Sequence, residues 1–409
     1  MLETSLRGLK VLDLSRILAG PWCTQNLSDL GAQVIKVENP KAGDDTRGWG
    51  PPYLGDPDTG AHFSAYFLAC NRGKRSIAIN FATPEGAELV RRLAADADVV
   101  VENYRTGTLE RHGLGHTDLR AVNPRLIHLS ITGFGPTGPM AGKPGYDYVF
   151  QGMGGMMSYT GQPDGTPGDG PLRTGVSVVD LMTGMYATSA VLAALFQRER
   201  TGAGQHIDIA LLDVAVALNA NQGSNYLVSG RVPQRIGNAH ANLAPYEVFA
   251  CSDGHLILAI GNDAQFAQFC ALADLPHLAR DPRFTTNSSR LEHLDELRPL
   301  VAAAMAGRTR AQWGADLDTA RISWGPINTL PEVFADPQVA HRDLRIHAEH
   351  PTVGTVPLVR NPMIDPGVPH PVQPPPLNGE HSAAILAELG LAPEAVEALL
   401  ASGAVAGIR

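Results

Sequence analysis

Residues 6–40 read LRGLKVLDLSRILAGPWCTQNLSDLGAQVIKVENP. Within them, Lys10–Leu14 (KVLDL) is a short apolar run of the kind that forms a buried strand. Gly20-Pro21 interrupts it, and a proline suits the first turn of a helix because its missing N–H would have no partner there. That helix is expected to reach about Leu30 and stop at Gly31. Gln33–Glu38 (QVIKVE) is the next strand. Strand, helix and strand in so short a stretch is a parallel crossover unit, the building block of a helix-covered sheet.

The rhythm continues outward. Ser76–Asn80 (SIAIN) is a third strand, and Thr83-Pro84-Glu85 supplies an N-cap, a proline at the first helical position and an acid in the first turn. Val90, Leu93, Ala94 and Ala97 form the apolar stripe of that helix, and Asp98–Glu102 and Leu126–Ile131 are further strands. Residues 143–175 are rich in Gly, Pro and Tyr and read as loops. Met182–Gln197 is almost entirely small and apolar, which predicts a buried helix. Gln205–Ala210 alternates like a strand and Leu211–Ala220 is helical. Together these predict an α/β domain with a mostly parallel sheet.

Character changes after about Leu227. Glu247–Ala250 and Leu256–Ile260 flank a Ser252-Asp253-Gly254-His255 turn, a hairpin signal. Helical stretches follow at about 263–272, 286–306 and 309–320, a second, α+β domain. The division expected is a large domain at 1–225 completed by 345–409, a small one at 226–330, and a returning linker at 331–380 whose end is proline-rich. The tail from His381 to Ser402 is again helical in spacing.

The 409 residues suffice for two domains at about 100–200 residues each. Apolar residues at 44% and charged residues at 18% allow a substantial core. A formal charge of -9 argues against nucleic acid as the main partner, since phosphate backbones need a basic surface, but leaves room for a small anion on a local cationic cluster. Cys23, Cys70, Cys251 and Cys270 are widely spaced, with no C-x-x-C pair, so neither a metal site nor a redox motif is expected. There is no cationic leader followed by an apolar stretch, and no run approaches ~18 apolar residues, so a cytoplasmic protein without a membrane span is expected. The phosphate loop, the dinucleotide glycine fingerprint, H-E-x-x-H and G-x-S-x-G are all missing.

Asp180 draws the chemistry. It directly precedes the apolar helix, within GVSVVDLMTG at 175–184. One reading is an ordinary N-cap. The other is a carboxylate nucleophile in a dry, glycine-lined pocket, with helix N-terminal N–H groups nearby to receive an oxyanion. The two are compatible. Gly152–Gly155 and Gly161 are read as flanking that pocket. Basic residues gather in loops after strands: Arg16, Lys36, Lys41, Arg47, Arg72 to Arg75, Arg105 and Arg111. A cationic rim at strand ends suits a phosphorylated ligand. Asn238-Ala-His240-Ala-Asn242 is a polar loop at the start of the second domain.

Longer motifs extend these. They are NRGKRSIAIN at 71–80, ADVVVENYRTGTLERHGLG at 97–115, SITGFGPTGP at 130–139, GYDYVFQGMGGMMSYTG at 145–161, RTGVSVVDLMTGMYA at 173–187 and WGPIN at 324–328. With 6–40 and GDDTRGWGPP at 43–52 they cover nearly the whole chain, and in them it resembles the class III CoA-transferases, the family of formyl-CoA transferase, carnitine CoA-transferase and the α-methylacyl-CoA racemases. The resemblance implies a large Rossmann-like domain and a smaller one in an interlocked, ring-like homodimer. It implies Asp180 as the catalytic aspartate, coenzyme A thioesters as substrates with a small carboxylic acid, and no bound cofactor or metal. CoA contacts are implied at Arg16, Leu18, Ala19, Asn39, Lys41, Lys74, Arg75, Ile79, Asn103, Arg105, Arg111 and Lys143, and a substrate pocket at Tyr146, Gln151, Gly154, Gly155, His240 and Asn242. Leu18 replaces the glutamine of formyl-CoA transferases, and NAHANLAP at 238–245 replaces their glycine-rich loop, so formyl-CoA is not the expected donor. Tyr146 stands where the racemases carry a histidine base, which favours transfer over racemisation, and the intact Asp180 with its glycine surroundings weighs against mere acyl-CoA binding. The general look is that of succinyl-CoA-dependent transferases of glutarate, itaconate, malate or citramalate.

Overall fold

The computed structural model describes residues 2–56, 58, 61–367 and 372–407. The chain divides into two compact units, one made of 1–154, 174–218 and 336–409, the other of 155–173 and 219–335.

The first unit is built on seven strands: β1 (Lys10–Asp13), β2 (Gln33–Glu38), β3 (Lys74–Ile79), β4 (Val99–Glu102), β5 (Ile127–Thr132), β6 (His206–Ala210) and β7 (Val405–Ala406). Their order is β7-β3-β2-β1-β4-β5-β6. The first six run parallel, and β7 closes the β3 edge antiparallel. The parallel sheet read from the sequence is therefore present. Helices α1 (Ala19–Asp29), α2 (Pro84–Ala95), α3 (His116–Val122), α4 (Asp147–Met153), α5 (Val178–Thr201), α6 (Leu211–Ala217) and α7 (Ser382–Glu388) accompany it. Successive strand side chains point to opposite faces, so both faces are apolar. Val11, Val34, Val99 and Val101 pack with α1, α5 and α6 on one side; Leu12, Val37 and Val100 pack with α2, α3 and α7 on the other. Each fully buried Val or Leu contributes about 1.5–3 kcal/mol. The Thr83 hydroxyl accepts the Gly86 N–H at 3.1 Å, the cap expected of Thr83-Pro84-Glu85.

Four readings are corrected here. The helix expected at 182–197 spans Val178–Thr201, so Asp180 is its third residue rather than its cap. That helix is also buried on one face only. Val179, Thr183, Ala187, Val191 and Ala194 face inward, whereas Tyr186 and Phe196 are exposed. By length and composition it could cross a membrane, contrary to the reading that no run is long enough. Its small residues serve a close approach: a Cβ at Gly184 would meet the Ala19 carbonyl oxygen at 2.7 Å, so α5 lies tight against α1. Finally, the stretch read as a returning linker carries an antiparallel hairpin, Arg345–His350 with Gly354–Val359, which packs on Phe63 and Phe67.

The second unit holds a three-stranded sheet in which Gly254–Ala259 lies between Tyr246–Cys251 and Ser323–Pro326. The hairpin signal at 252–255 is thus realised. The helix expected over 286–306 is two, Asn287–Glu292 and Leu294–Ala306, broken at His293. Phe249, Leu256, Phe266, Phe269, Trp313 and Leu317 form the core of this unit.

Candidate active site

Strand order reverses between β1 and β4, and ligands bind doubly wound sheets where the carboxyl ends diverge at such a point. A cavity of about 200 Å³ opens there, lined by residues 16–19 after β1, 103–106 after β4, 131–135 at the end of β5 and just beyond it, 142–146, Asp180 and Leu211. A larger cleft, about 710 Å³, lies at the amino ends of β1 to β3. Its border charges are already paired, Lys10 with Asp96, Arg72 with Asp29 and Arg75 with Glu388, so the smaller cavity is the better candidate.

A buried ionic network shapes the cavity wall. The Asp13 carboxylate, at the end of β1, accepts from Lys74 Nζ at 3.0 Å and Thr24 Oγ1 at 2.6 Å. Lys36 Nζ, from β2, donates to the Ser15 carbonyl at 2.8 Å and pairs with Asp44 at 2.9 Å. Asp44 in turn accepts the Ile17 N–H at 3.2 Å. Ile17 needs such a grip, because its φ of 70° is costly for a β-branched residue. Asn103 brackets the same loop, accepting Arg16 N–H at 2.8 Å and donating to Arg16 C=O at 2.7 Å. Burial works to raise the Asp13 pKa, but the Lys74 and Lys36 ammoniums and the Ser15 and Thr24 hydroxyls outweigh it and hold the carboxyl at about 2.

Asp180 projects from the first turn of α5. The N-cap residue Ser177 makes no side-chain cap bond. The cap comes from α4 instead: Asp147 Oδ1 accepts Val179 N–H at 2.7 Å and Asp180 N–H at 3.2 Å. This explains why the helix starts earlier than its apolar run. It also corrects the oxyanion reading, since the Val179 and Asp180 N–H groups are engaged by a carboxylate. Among the described residues, no donor bonds the Asp180 carboxyl oxygens, which leaves their lone pairs available. Burial, then the charge of Asp147, pushes its pKa up to about 7. Burial, together with the charge of Asp180, raises the pKa of the Tyr66 hydroxyl. The Tyr66 ring meets Trp49 edge-on at 5.1 Å.

The residues expected at the site separate into three groups. Arg16, Leu18, Ala19, Asn103, Arg105, Lys143 and Tyr146 line the cavity with Asp180. Others are structural. Lys74 is fully buried, with bonds to Asp13, Pro21 and Asn71; Ile79 is a core residue on β3; Arg75 is held by Glu388; and the Asn39 side chain closes a turn on Lys41 and Ala42 N–H. Gln151 is fully buried on Asp147, and Gly154 packs against Ala215. Lys41 and Arg111 are exposed and outside the cavity lining. A third group, Gly155, Gly161, His240 and Asn242, belongs to the second unit. There His240 Nδ1 accepts Asn242 N–H at 3.0 Å, and Asn242 bonds Asn225. Sequence reasoning assigns no role to Asp147 or to the 131–135 wall. An acid and an amide four residues apart, Asp147 and Gln151, are the available signal for the first.

The profile of CoA-transferase family III matches residues 6–382. The chain belongs to that family. It is a class III CoA-transferase. The transferase is 49% identical over 385 residues to a protein named succinate–glutarate CoA-transferase from Agrobacterium fabrum, covering 94% of this chain and 95% of the relative. It is 43% identical to succinyl-CoA:glutarate CoA-transferase of Mus musculus, over 98% of this chain and 90% of the relative. Among solved structures, a CaiB/BaiF family protein from Brucella suis superposes with a TM-score of 0.82 at 48% identity, covering 95% of the transferase and 100% of that chain.

Proposed function

We propose that the transferase moves CoA from succinyl-CoA to a small dicarboxylate such as glutarate, itaconate, malate or citramalate, with Asp180 as the covalent carrier. The observation that carries this is the Asp180 carboxyl itself, at the switch point of the sheet, in a cavity, with no donor among the described residues blocking its oxygens. Asp180 attacks the thioester carbonyl, and the C–S bond breaks to give a mixed anhydride and CoA thiolate. The thiolate attacks the aspartyl carbonyl, releasing the donor acid and leaving an aspartyl-CoA thioester. The acceptor carboxylate displaces CoA to form a second anhydride. CoA thiolate then attacks the acceptor acyl group and regenerates the carboxylate. Each step exchanges one acyl bond for another, and water must be kept out because it would hydrolyse either intermediate.

A dicarboxylate needs a cation for its distal end, and Arg16, Arg47, Arg173 and Arg235 are the candidates. Arg47 grips Glu38 and the Pro376 carbonyl, and Arg235 is paired with Asp164 in the second unit. Arg16 borders the cavity with Asp180. One of its terminal nitrogens holds the exposed Asp45 at 2.7 Å, while its buried Nε has no partner among the described residues. Arg16 is assigned the distal carboxylate. Offered a panel of acids with succinyl-CoA and read by mass spectrometry of the thioesters, the transferase is expected to load dicarboxylates. Arg16→Met should raise their KM roughly tenfold or more, the loss of a charge-assisted pair. Equal losses with monocarboxylates would remove Arg16 from that role, and no loading of any dicarboxylate would remove the reading.

In this proposal the first unit, 1–154, 174–218 and 336–409, is the CoA-binding domain and the second unit the smaller domain, in an interlocked homodimer. Support for self-association is the apolar surface left bare: Phe196 at 69% exposure on α5, and Leu227 at 82% and Val228 at 89% on the helix Ala220–Ser229. Sedimentation should give twice the chain mass at micromolar concentration; a monomer there would refute the dimer. Four unpaired thiols support a cytoplasmic, reducing setting.

A further inference from the structure

The return of the chain to the nucleophile is stapled by buried side chains. After α4 the chain leaves the first unit at Gly154 and rejoins it at Thr174, six residues before Asp180. At the point of return, Gln151 Oε1 accepts Thr174 N–H at 3.0 Å, while Gln151 Nε2 donates to Asp147 Oδ2 at 2.6 Å and to the Val176 carbonyl at 3.4 Å. Asp147 Oδ1 holds Val179 and Asp180 N–H, as above. Gln151 is fully buried and Asp147 is 5% exposed. From Thr174 to Asp180, then, the backbone is tied at both ends to one Asp–Gln pair on one helix turn. Gln151 is oriented by it, because its oxygen must face the Thr174 N–H and its nitrogen must face Asp147.

We propose that Asp147 and Gln151 are positioning residues for the reaction, fixing the Asp180 carboxyl toward the thioester and placing one negative charge directly behind it. This rests on Asp180 being the nucleophile. The pair acts in two separable ways. The hydrogen bonds fix where the carboxyl points. The charge, one hydrogen bond from the Asp180 backbone, keeps the carboxylate basic, and basicity strengthens a nucleophile at the cost of ionising it later on the pH scale. An apolar or neutral cap could do the first but not the second.

The two can be separated by moving the charge. Asp147→Asn keeps an acceptor for the two N–H groups but sets two amide NH₂ groups against each other at Gln151. The double variant Asp147→Asn/Gln151→Glu repairs this. The new amide at position 147 donates, and the new carboxylate at position 151 accepts from it and from Thr174. The charge thereby leaves the group that holds the Asp180 N–H and moves one turn along α4. The readout is the pH profile of kcat/KM for the transferase with succinyl-CoA. Wild type is expected to keep about a tenth of its plateau at pH 6, for a carboxylate titrating near 7. The double variant is expected to fold as wild type, keep its KM for acyl-CoA, lose kcat at pH 8, and retain a larger fraction of its own plateau at pH 6 than wild type does. The single Asn variant should show the same shifted limb with a larger loss of kcat; if it does not fold, the double variant decides. A double variant with wild-type kcat and a wild-type acid limb would overturn the proposal. Mass analysis of the wild-type enzyme during turnover separates this failure from that of the underlying reading: CoA found on Asp180 with an unmoved limb removes only the positioning role, whereas no label on Asp180 removes both.

Discussion

Asp180→Ala is expected to lower CoA transfer by ~10⁴-fold or more while leaving acyl-CoA binding nearly unchanged, because it removes the atom that forms each intermediate rather than a contact shared by ground and transition states. During turnover the wild-type enzyme should carry CoA on the peptide containing residue 180, and the variant should carry none. Transfer at the wild-type rate by the alanine variant would end the covalent account. A stability measurement checks the same residue independently. The Asp180 pKa is raised from 3.8 to about 7, by burial and by Asp147. Between those pH values the unfolded chain has released a proton that the folded chain still holds, so stability falls as pH rises through the interval and the loss is complete above it. Asp180→Asn should therefore melt higher than wild type at pH 8 and level with it near pH 4. A functional site that costs stability at neutral pH is the usual consequence of burying a charge for use.

What could be read from the sequence follows from how far each interaction reaches along the chain. Strand runs such as Gln33–Glu38 and the Thr83 cap are local, and both stand in the structure where their residues place them. The start of α5 was not legible, because the carboxylate that caps it lies 32 residues earlier on another helix. The tail illustrates the same limit. Its helical spacing is realised in Ser382–Glu388 and Pro393–Ala401, but β7 forms only because the β3 edge is there to receive Val405 and Ala406. At the site, the loops after β1 and β4 are legible because sheet topology sends their residues to one end. The cations are harder. A lysine on a strand carries no sequence mark that says whether it faces a ligand or an internal carboxylate, and Lys36 and Lys74 face Asp44 and Asp13.

That distinction makes Lys74→Met the sharpest test of the scaffold. As a ligand contact, Lys74 could be replaced with a rise in the KM for acyl-CoA and little change in stability. As the structure places it, Lys74 is wholly enclosed, with its ammonium on Asp13, the Pro21 carbonyl and Asn71. Its removal leaves Asp13 facing Lys36 alone among cations, so a buried carboxylate loses its direct partner, and such losses cost about 3–5 kcal/mol. Chemical denaturation should show a loss of this size at pH 7. It should shrink as pH falls from about 4 toward 2, because the native Asp13 carboxyl titrates near 2 and its pair with Lys74 stabilises the fold only while it is ionised. Damage should also reach the cavity. Asp13 accepts the Ser15 N–H at 2.9 Å, and Ser15 begins the strained turn through Ile17 that presents Arg16, Leu18 and Ala19. Purified variant that folds with wild-type stability but binds acyl-CoA poorly would show that Lys74 reaches the ligand after all. A destabilised variant whose residual folded fraction binds normally would confine its part to the frame behind the pocket.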